Sequence, residues 1–222
     1  LDLGEVFPIF FIILISYLIG STPIAFLAGK WIKGIDLRHY GSGTISGSMV
    51  FEHVAKWVII PVGIFDIFKG SIAALLGIKL TGEPLLAAFA GLTAVIGHNW
   101  PVFLNFTGGR GLSPFMGVLL VLFPPGVLWM LAFLAIGYLL GDSAPWSLVS
   151  LASLPILNKF LNGLAIINLS AIAIILITLI KRLEANRRPL PQDGIERKKV
   201  ILLRLLFDRD IQNHKEWINR VP

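Results

Sequence analysis

Cysteine is absent from the chain, and the four histidines, His39, His53, His98 and His214, show no ligand spacing. Disulfides, thiolate catalysis and cysteine-held metals are therefore excluded, and neither a metal nor a cofactor is expected. None of the histidines is followed by Asp at the His-x4-Asp spacing of many acyltransferases, and no Gly-x-Ser-x-Gly elbow occurs. Charge is scarce too: Asp, Glu, Lys and Arg make up 14% of the residues against 55% hydrophobic, with a mean hydropathy of +0.80. A soluble domain carries about 25% charged residues, so this composition points to a polytopic membrane protein. Internal repeats of the kind that build transporters are not evident. The net charge of +6 does not argue for nucleic acid, because 11 of the 19 Lys and Arg fall in residues 181–222, beside the last apolar run. Basic residues there report topology.

What is present is a series of apolar runs. Roughly 20 such residues span a bilayer core, and the runs suffice for six or seven spans. The expectation is an all-α, polytopic integral membrane helix bundle of about seven transmembrane helices, N-terminus outside and C-terminus cytoplasmic. Residues 7–27 read as a retained span rather than a signal peptide, since Asp2 and Glu5 stand where a basic region would be. Lys30, Lys33 and Arg38 then mark the cytoplasmic side. A second span over about 54–78 carries Asp66 and Lys69, three apart on one face, as a self-neutralising pair. A third span starts at Leu85. Residues 112–140 are free of charge, but Pro124-Pro125-Gly126 splits them into two short spans. A short, tilted or re-entrant segment over 146–157 and a last span over 161–180 follow, the latter ending on Lys181-Arg182. Residues 1–190 thus form the bundle. Residues 191–222 form a basic cytoplasmic extension, either a helix on the inner leaflet or one docked against the bundle or a partner.

The chemistry concentrates where the third span ends. Gly97-His98-Asn99-Trp100-Pro101 is followed by Asn105-Phe106-Thr107-Gly108-Gly109-Arg110-Gly111. Without side chains at Gly108, Gly109 and Gly111, backbone amides can approach an anion while Arg110 supplies charge and a two-pronged donor. A tight helix–helix turn remains an equal alternative. His98 reads as a hydrogen-bonding strut, with a general base as the second reading. On this topology residues 38–48, 98–113 and 181–188 face one compartment and gather Arg38, Arg110, Arg182, Arg187 and Arg188. That suits a phosphorylated molecule at the membrane surface with apolar helices beneath to receive a chain.

Gly20-Ser21-Thr22-Pro23, Gly34-Ile35-Asp36-Leu37-Arg38, Gly41-Ser42-Gly43, Asp66-Ile67-Phe68-Lys69-Gly70 and GHNWPVFLNFTGGRG, in this order and spacing, resemble the bacterial acyl-phosphate:glycerol-3-phosphate acyltransferase (PlsY) family over residues 7–190. The resemblance implies a multi-pass enzyme of the bacterial cytoplasmic (inner) membrane, its active-site loops facing the cytoplasm. Such an enzyme transfers an acyl group from acyl phosphate to the sn-1 hydroxyl of glycerol 3-phosphate, giving lysophosphatidic acid for phospholipid synthesis. It also implies no catalytic side chain, the proton passing to a phosphate oxygen of the substrate. Carried onto this chain, it makes Ser42 and the amides around Gly43 ligands of one phosphate and Gly108, Gly109 and Arg110 ligands of the other. Asn186 would position the acceptor, with Arg38, His98 and Asn99 in support.

Departures from the family pattern bear on activity. Thr44 and Met49 stand for Asn, Ser46 for Gly and Glu52 for an Arg held important in the family. Arg110 replaces Lys, and Leu183 replaces the His of a His-x-x-Asn motif whose Asn is Asn186. Three functions therefore stand: this acyltransferase; a related enzyme with another acceptor, or an inactive paralogue; and a non-enzymatic transporter or subunit. Glu52 is the chief argument for the second, since a carboxylate repels phosphate and could pair with Arg38 instead.

Overall fold

The computed structural model describes residues 3–41, 43–184 and 189–219. Among them every regular element is helical: α1 (Leu3–Ser21), α2 (Ile24–Lys33), α3 (Gly47–His53), α4 (Ile59–Thr81), α5 (Pro84–Asn99), α6 (Leu112–Leu122), α7 (Pro124–Leu139), α8 (Ser143–Phe160), α9 (Ala165–Leu183), α10 (Gly194–Phe207) and α11 (His214–Ile218), joined by three short 3-10 turns. Four segments are long and apolar enough to cross a bilayer: 7–33, 56–81, 84–104 and 165–183. Helices α6 and α7 are apolar but shorter.

Local chemistry sets the boundaries. The first apolar run breaks at Thr22-Pro23, so α1 and α2 are separate helices. Pro84 opens α5, and Pro124 opens α7 directly after Phe123 ends α6. Asp142 caps α8 by accepting from the Ala144 amide at 3.1 Å. That start at Ser143 places Pro145 in the first turn, where its missing amide is tolerated, and with the run on to Phe160 makes α8 an 18-residue helix, longer than the 146–157 segment expected. The second long helix starts later than expected, at Ile59, since α3 and a 3-10 turn take up the residues before it.

Helix α4 packs against α1, α5 and α6, while α7, α8 and α9 pack in series beside them. Lipid is as apolar as leucine, so close approach of backbones has to drive much of this association. Glycines allow it: a Cβ on Gly20 would overlap the Ala94 carbonyl, one on Gly70 the Pro114 carbonyl, and one on Gly117 the Ile67 carbonyl. Phe115, Leu119, Met130, Leu151, Leu154 and Ile174 fill the core between α6 and α9. Phe7, Phe65, Leu128, Phe160 and Leu169 are exposed on the outside, as a lipid-facing surface requires.

A second apolar cluster caps one end of the bundle, made by Leu37, Ile45, Met49, Val50, Leu104 and Trp217. Trp217 comes from α11. The C-terminal segment is therefore docked onto the bundle, with Leu203 and Arg204 of α10 buried, while Ile195, Leu202 and Leu206 stay exposed. At this end lie the α1–α2 break, residues 34–58, the α5–α6 loop, the start of α8 and the end of α9.

Candidate functional site

The α5–α6 loop is held from below. The His98 carbonyl accepts from the Gly109 amide at 3.1 Å, and the Gly108 carbonyl accepts from the Ile45 amide at 3.2 Å, which joins the two glycine-rich loops. Gly108 and Gly109 press on the end of α5 so closely that a Cβ on either would overlap His98 atoms. Gly111 has φ +78°, and a Cβ there would also crowd Asn99. The glycines are thus required by packing as well as by any ligand. His98 and Asn99 both lie against this loop, Asn99 fully buried with neither side-chain polar atom paired among the described residues.

Beneath the loop lies a buried charge cluster. Lys69 Nζ is 2.7 Å from Asp66 Oδ1, the pairing expected across one helical turn. It also donates to the Thr22 carbonyl at 2.8 Å and to the Gly20 carbonyl at 3.4 Å. Those are carbonyls freed where α1 ends, so Lys69 serves as a cap reaching across from α4. His98 Nδ1 lies 3.5 Å from Asp66 Oδ1. Lys69 is midway along α4, but α5 is shorter and brings His98 down to its level. Gly20, Thr22, Pro23, Lys69, His98 and Gly108 line a cleft of about 10 Å³ here, room for one water-sized group.

Arg110 is the loop's cation, its side chain 10% exposed. Nε donates to Asp208 Oδ2 at 2.7 Å and Nη1 to the Lys181 carbonyl at 3.2 Å. Nη2 is buried with no partner among the described residues. The end of α9 thereby joins the site. Lys181 is 3.1 Å from Glu184 and lies over the Trp100 ring, whose Nε1 donates to Glu184 at 2.7 Å.

Other expected participants are placed elsewhere. Arg38 is not brought to Arg110: it is bound by Asp36, with Nη2 at 2.7 Å from the carboxylate, and lies over Phe26. The guanidinium beside Asp36 holds that carboxyl down to about 2. Arg182 donates to the carbonyls of Leu205, Leu206 and Ala144 and is a structural clamp. Glu52 does not pair with Arg38; it is exposed on α3 and makes no ion pair among the described residues. Gly43 (φ +66°) lies in the first loop with its amide donating to the Tyr40 carbonyl at 2.9 Å, so this amide is not itself free for an anion. Ser42 and Asn186, together with Arg187 and Arg188, lie outside the described residues. Sequence reasoning placed residues 181–188 on the same face as this loop, but it assigned Lys181, Glu184 and Trp100 no role in holding it. It missed Asp208 because nothing local marks it.

Two glycine-rich loops are thus hydrogen-bonded to one another, and the buried guanidinium of Arg110 reaches from one of them to the end of α9. The family profile described as glycerol-3-phosphate acyltransferase matches residues 10–190. The chain belongs to that family. It is 33% identical to glycerol-3-phosphate acyltransferase 4 of Dehalococcoides mccartyi, covering 96% of this chain and 94% of that one. It is 34% identical to glycerol-3-phosphate acyltransferase of Prochlorococcus marinus, over 79% and 89% of the two chains. The fold is similar to crystal structures of PlsY, an integral membrane glycerol 3-phosphate acyltransferase. The glycerol 3-phosphate form gives a TM-score of 0.72 at 29% identity, covering 79% of this chain and 88% of that one. The lysophosphatidic acid form gives 0.70 at 28% identity with the same coverage. The family match ends at residue 190, so α10 and α11, with Asp208, lie beyond it.

Proposed function

We propose that this chain is an acyl-phosphate-dependent glycerol-3-phosphate acyltransferase of the bacterial inner membrane, acting from the cytoplasmic side. The observation that carries the reading is Arg110: a buried guanidinium on a glycine loop, one nitrogen unpaired among the described residues, in a chain of this family. Helices α1 and α4 to α9 serve as the seven spans. Lys30, Lys33, Arg38, Lys181 and Arg182 all lie toward the loop end, which favours the cytoplasm for that end.

The reaction asks little of side chains as acids or bases. The sn-1 hydroxyl oxygen of glycerol 3-phosphate attacks the acyl carbon, the bond from that carbon to the phosphate oxygen breaks, and the hydroxyl proton passes to a phosphate oxygen. Inorganic phosphate and lysophosphatidic acid leave. The protein's part is to hold two anions and align the hydroxyl, which by itself removes a large share of the barrier. Arg110, with the Gly108 amide, holds one phosphate and stabilises its charge, while the Gly109 amide stays on the His98 carbonyl. Ser42, next to Gly43 in the chain, holds the other, Asn186 positions the acceptor, and His98 and Asn99 brace the second loop.

The test is stoichiometry. Protein in lipid bilayers, given palmitoyl phosphate and glycerol 3-phosphate, should release inorganic phosphate and lysophosphatidic acid in equal amounts and should not use an acyl thioester instead. Phosphate without lysophosphatidic acid would point to another acceptor; neither product would remove the acyltransferase reading.

A further inference from the structure

We propose that Asp208, in the C-terminal segment beyond the family match, is a positioning residue that sets the orientation of Arg110, so that this segment is part of the active site. The inference rests on the reading of Arg110 as the phosphate-holding group.

A lysine offers an anion a point charge with three freely rotating donors, whereas an arginine offers a rigid planar fork that binds well only when its plane is fixed. At Arg110 the fixing is visible. Asp208 Oδ2 takes Nε at 2.7 Å and the Lys181 carbonyl takes Nη1 at 3.2 Å. Of the three nitrogens Nη2 makes no bond among the described residues and is buried, as is Asp208 Oδ1, the other oxygen of the same carboxylate. A buried donor in that condition is costly unless something accepts from it, and an anionic oxygen is the acceptor that would. Asp208 therefore fixes the plane of the fork through its Nε edge, and the remaining N–H groups of Nη1 and Nη2 are the donors left for substrate.

The carboxylate is itself firmly placed. Asp208 ends α10 in the left-handed conformation, φ 58° and ψ 32°, its amide donating to the Arg204 carbonyl at 3.0 Å. Three other arginines also hold the segment. Arg182 Nη1 donates to the Leu205 carbonyl at 2.7 Å, Arg204 Nη1 donates to the Leu183 carbonyl at 3.2 Å, and Arg209 pairs with Asp142 at 2.6 Å. Removing the Asp208 charge should leave the docked segment where it is.

The experiment uses the full chain in lipid bilayers with two readouts: turnover of palmitoyl phosphate with glycerol 3-phosphate, and the rise in Tm produced by inorganic phosphate. Asp208→Asn should keep the Tm measured without phosphate but lower kcat/KM by about 10- to 100-fold, the scale of a misplaced clamp. It should also diminish the phosphate-induced rise, and Asp208→Glu should restore part of both. In an Arg110→Lys background the same Asn change should cost much less, because a lysine needs no fixed plane. A rise in turnover or in phosphate stabilisation in Asp208→Asn would overturn the proposal, making the carboxylate a competitor of phosphate. An equal loss in both backgrounds would overturn it in favour of a purely structural role. If the wild type makes no lysophosphatidic acid, the acyltransferase reading fails, and the phosphate shift in wild type against Asp208→Asn still decides the role of Asp208.

Discussion

His53 shows how a single residue at the loop end carries a pH signature. It lies half-buried beside Tyr40, ring centroids 5.3 Å apart, at the edge of the cluster that holds Trp217. Burial pushes the imidazole below its ordinary 6.5, with the nearby Glu52 charge opposing the shift. The folded state therefore binds the proton less well than the unfolded one. Stability from this group is full above pH 6.5 and falls as pH drops from there toward the folded value. Asp36 does not interfere, since its contribution is lost only as pH falls from 3.8 toward about 2. Thermal melting followed from about pH 7.5 to about pH 5 should show a decline that His53→Gln flattens, and an unchanged slope in the variant would remove the assignment. At this scale the sequence is readable where the chemistry is local. Gly108, Gly109 and Arg110 announce a loop with one cation, and Asp66 with Lys69 announces a pair. The Arg110–Asp208 contact spans 98 residues, and no local pattern encodes it.

Among the elements, breaks are more legible than lengths. Pro124-Pro125 ends one helix and begins the next for a covalent reason, a missing amide and a fixed φ, and the sequence shows it. The true span of α8 is hidden because Pro145 reads as a turn residue although it sits in the first turn of the helix, where a proline is tolerated. Likewise the crowded apolar residues of α10 conceal a helix docked on one side and open on the other. Lys69 links elements: it neutralises Asp66 within α4 and caps the end of α1. Lys69→Met leaves a buried carboxylate without its main partner and should destabilise the bundle by about 3–5 kcal/mol. The double change Asp66→Asn with Lys69→Met should recover much of that. Melting in the same lipid, compared across the single and double variants, checks it; a double variant as unstable as the single would mean that the capping bonds to α1, not the charge balance, dominate.

For the whole molecule, composition was enough to give an all-helical membrane bundle, and motif order was enough to give the family. The tertiary partners of individual charges were not readable. Of five guanidiniums expected to gather, Arg110 alone among the described three faces the joined loops with a nitrogen unpaired, while Arg38 and Arg182 are engaged with Asp36 and with backbone carbonyls. Glu52 lies exposed rather than paired with Arg38, which weakens the case for a redirected site. Phosphate binding therefore centres on one side chain. Its most direct test is kcat/KM for palmitoyl phosphate and glycerol 3-phosphate in wild type, Arg110→Ala and Arg110→Lys, in bilayers. The account predicts a loss of at least about 100-fold in Arg110→Ala, the scale of removing a charge-stabilising donor, with Arg110→Lys retaining a substantial share because a lysine still brings charge to phosphate. Undiminished turnover in Arg110→Ala would contradict it.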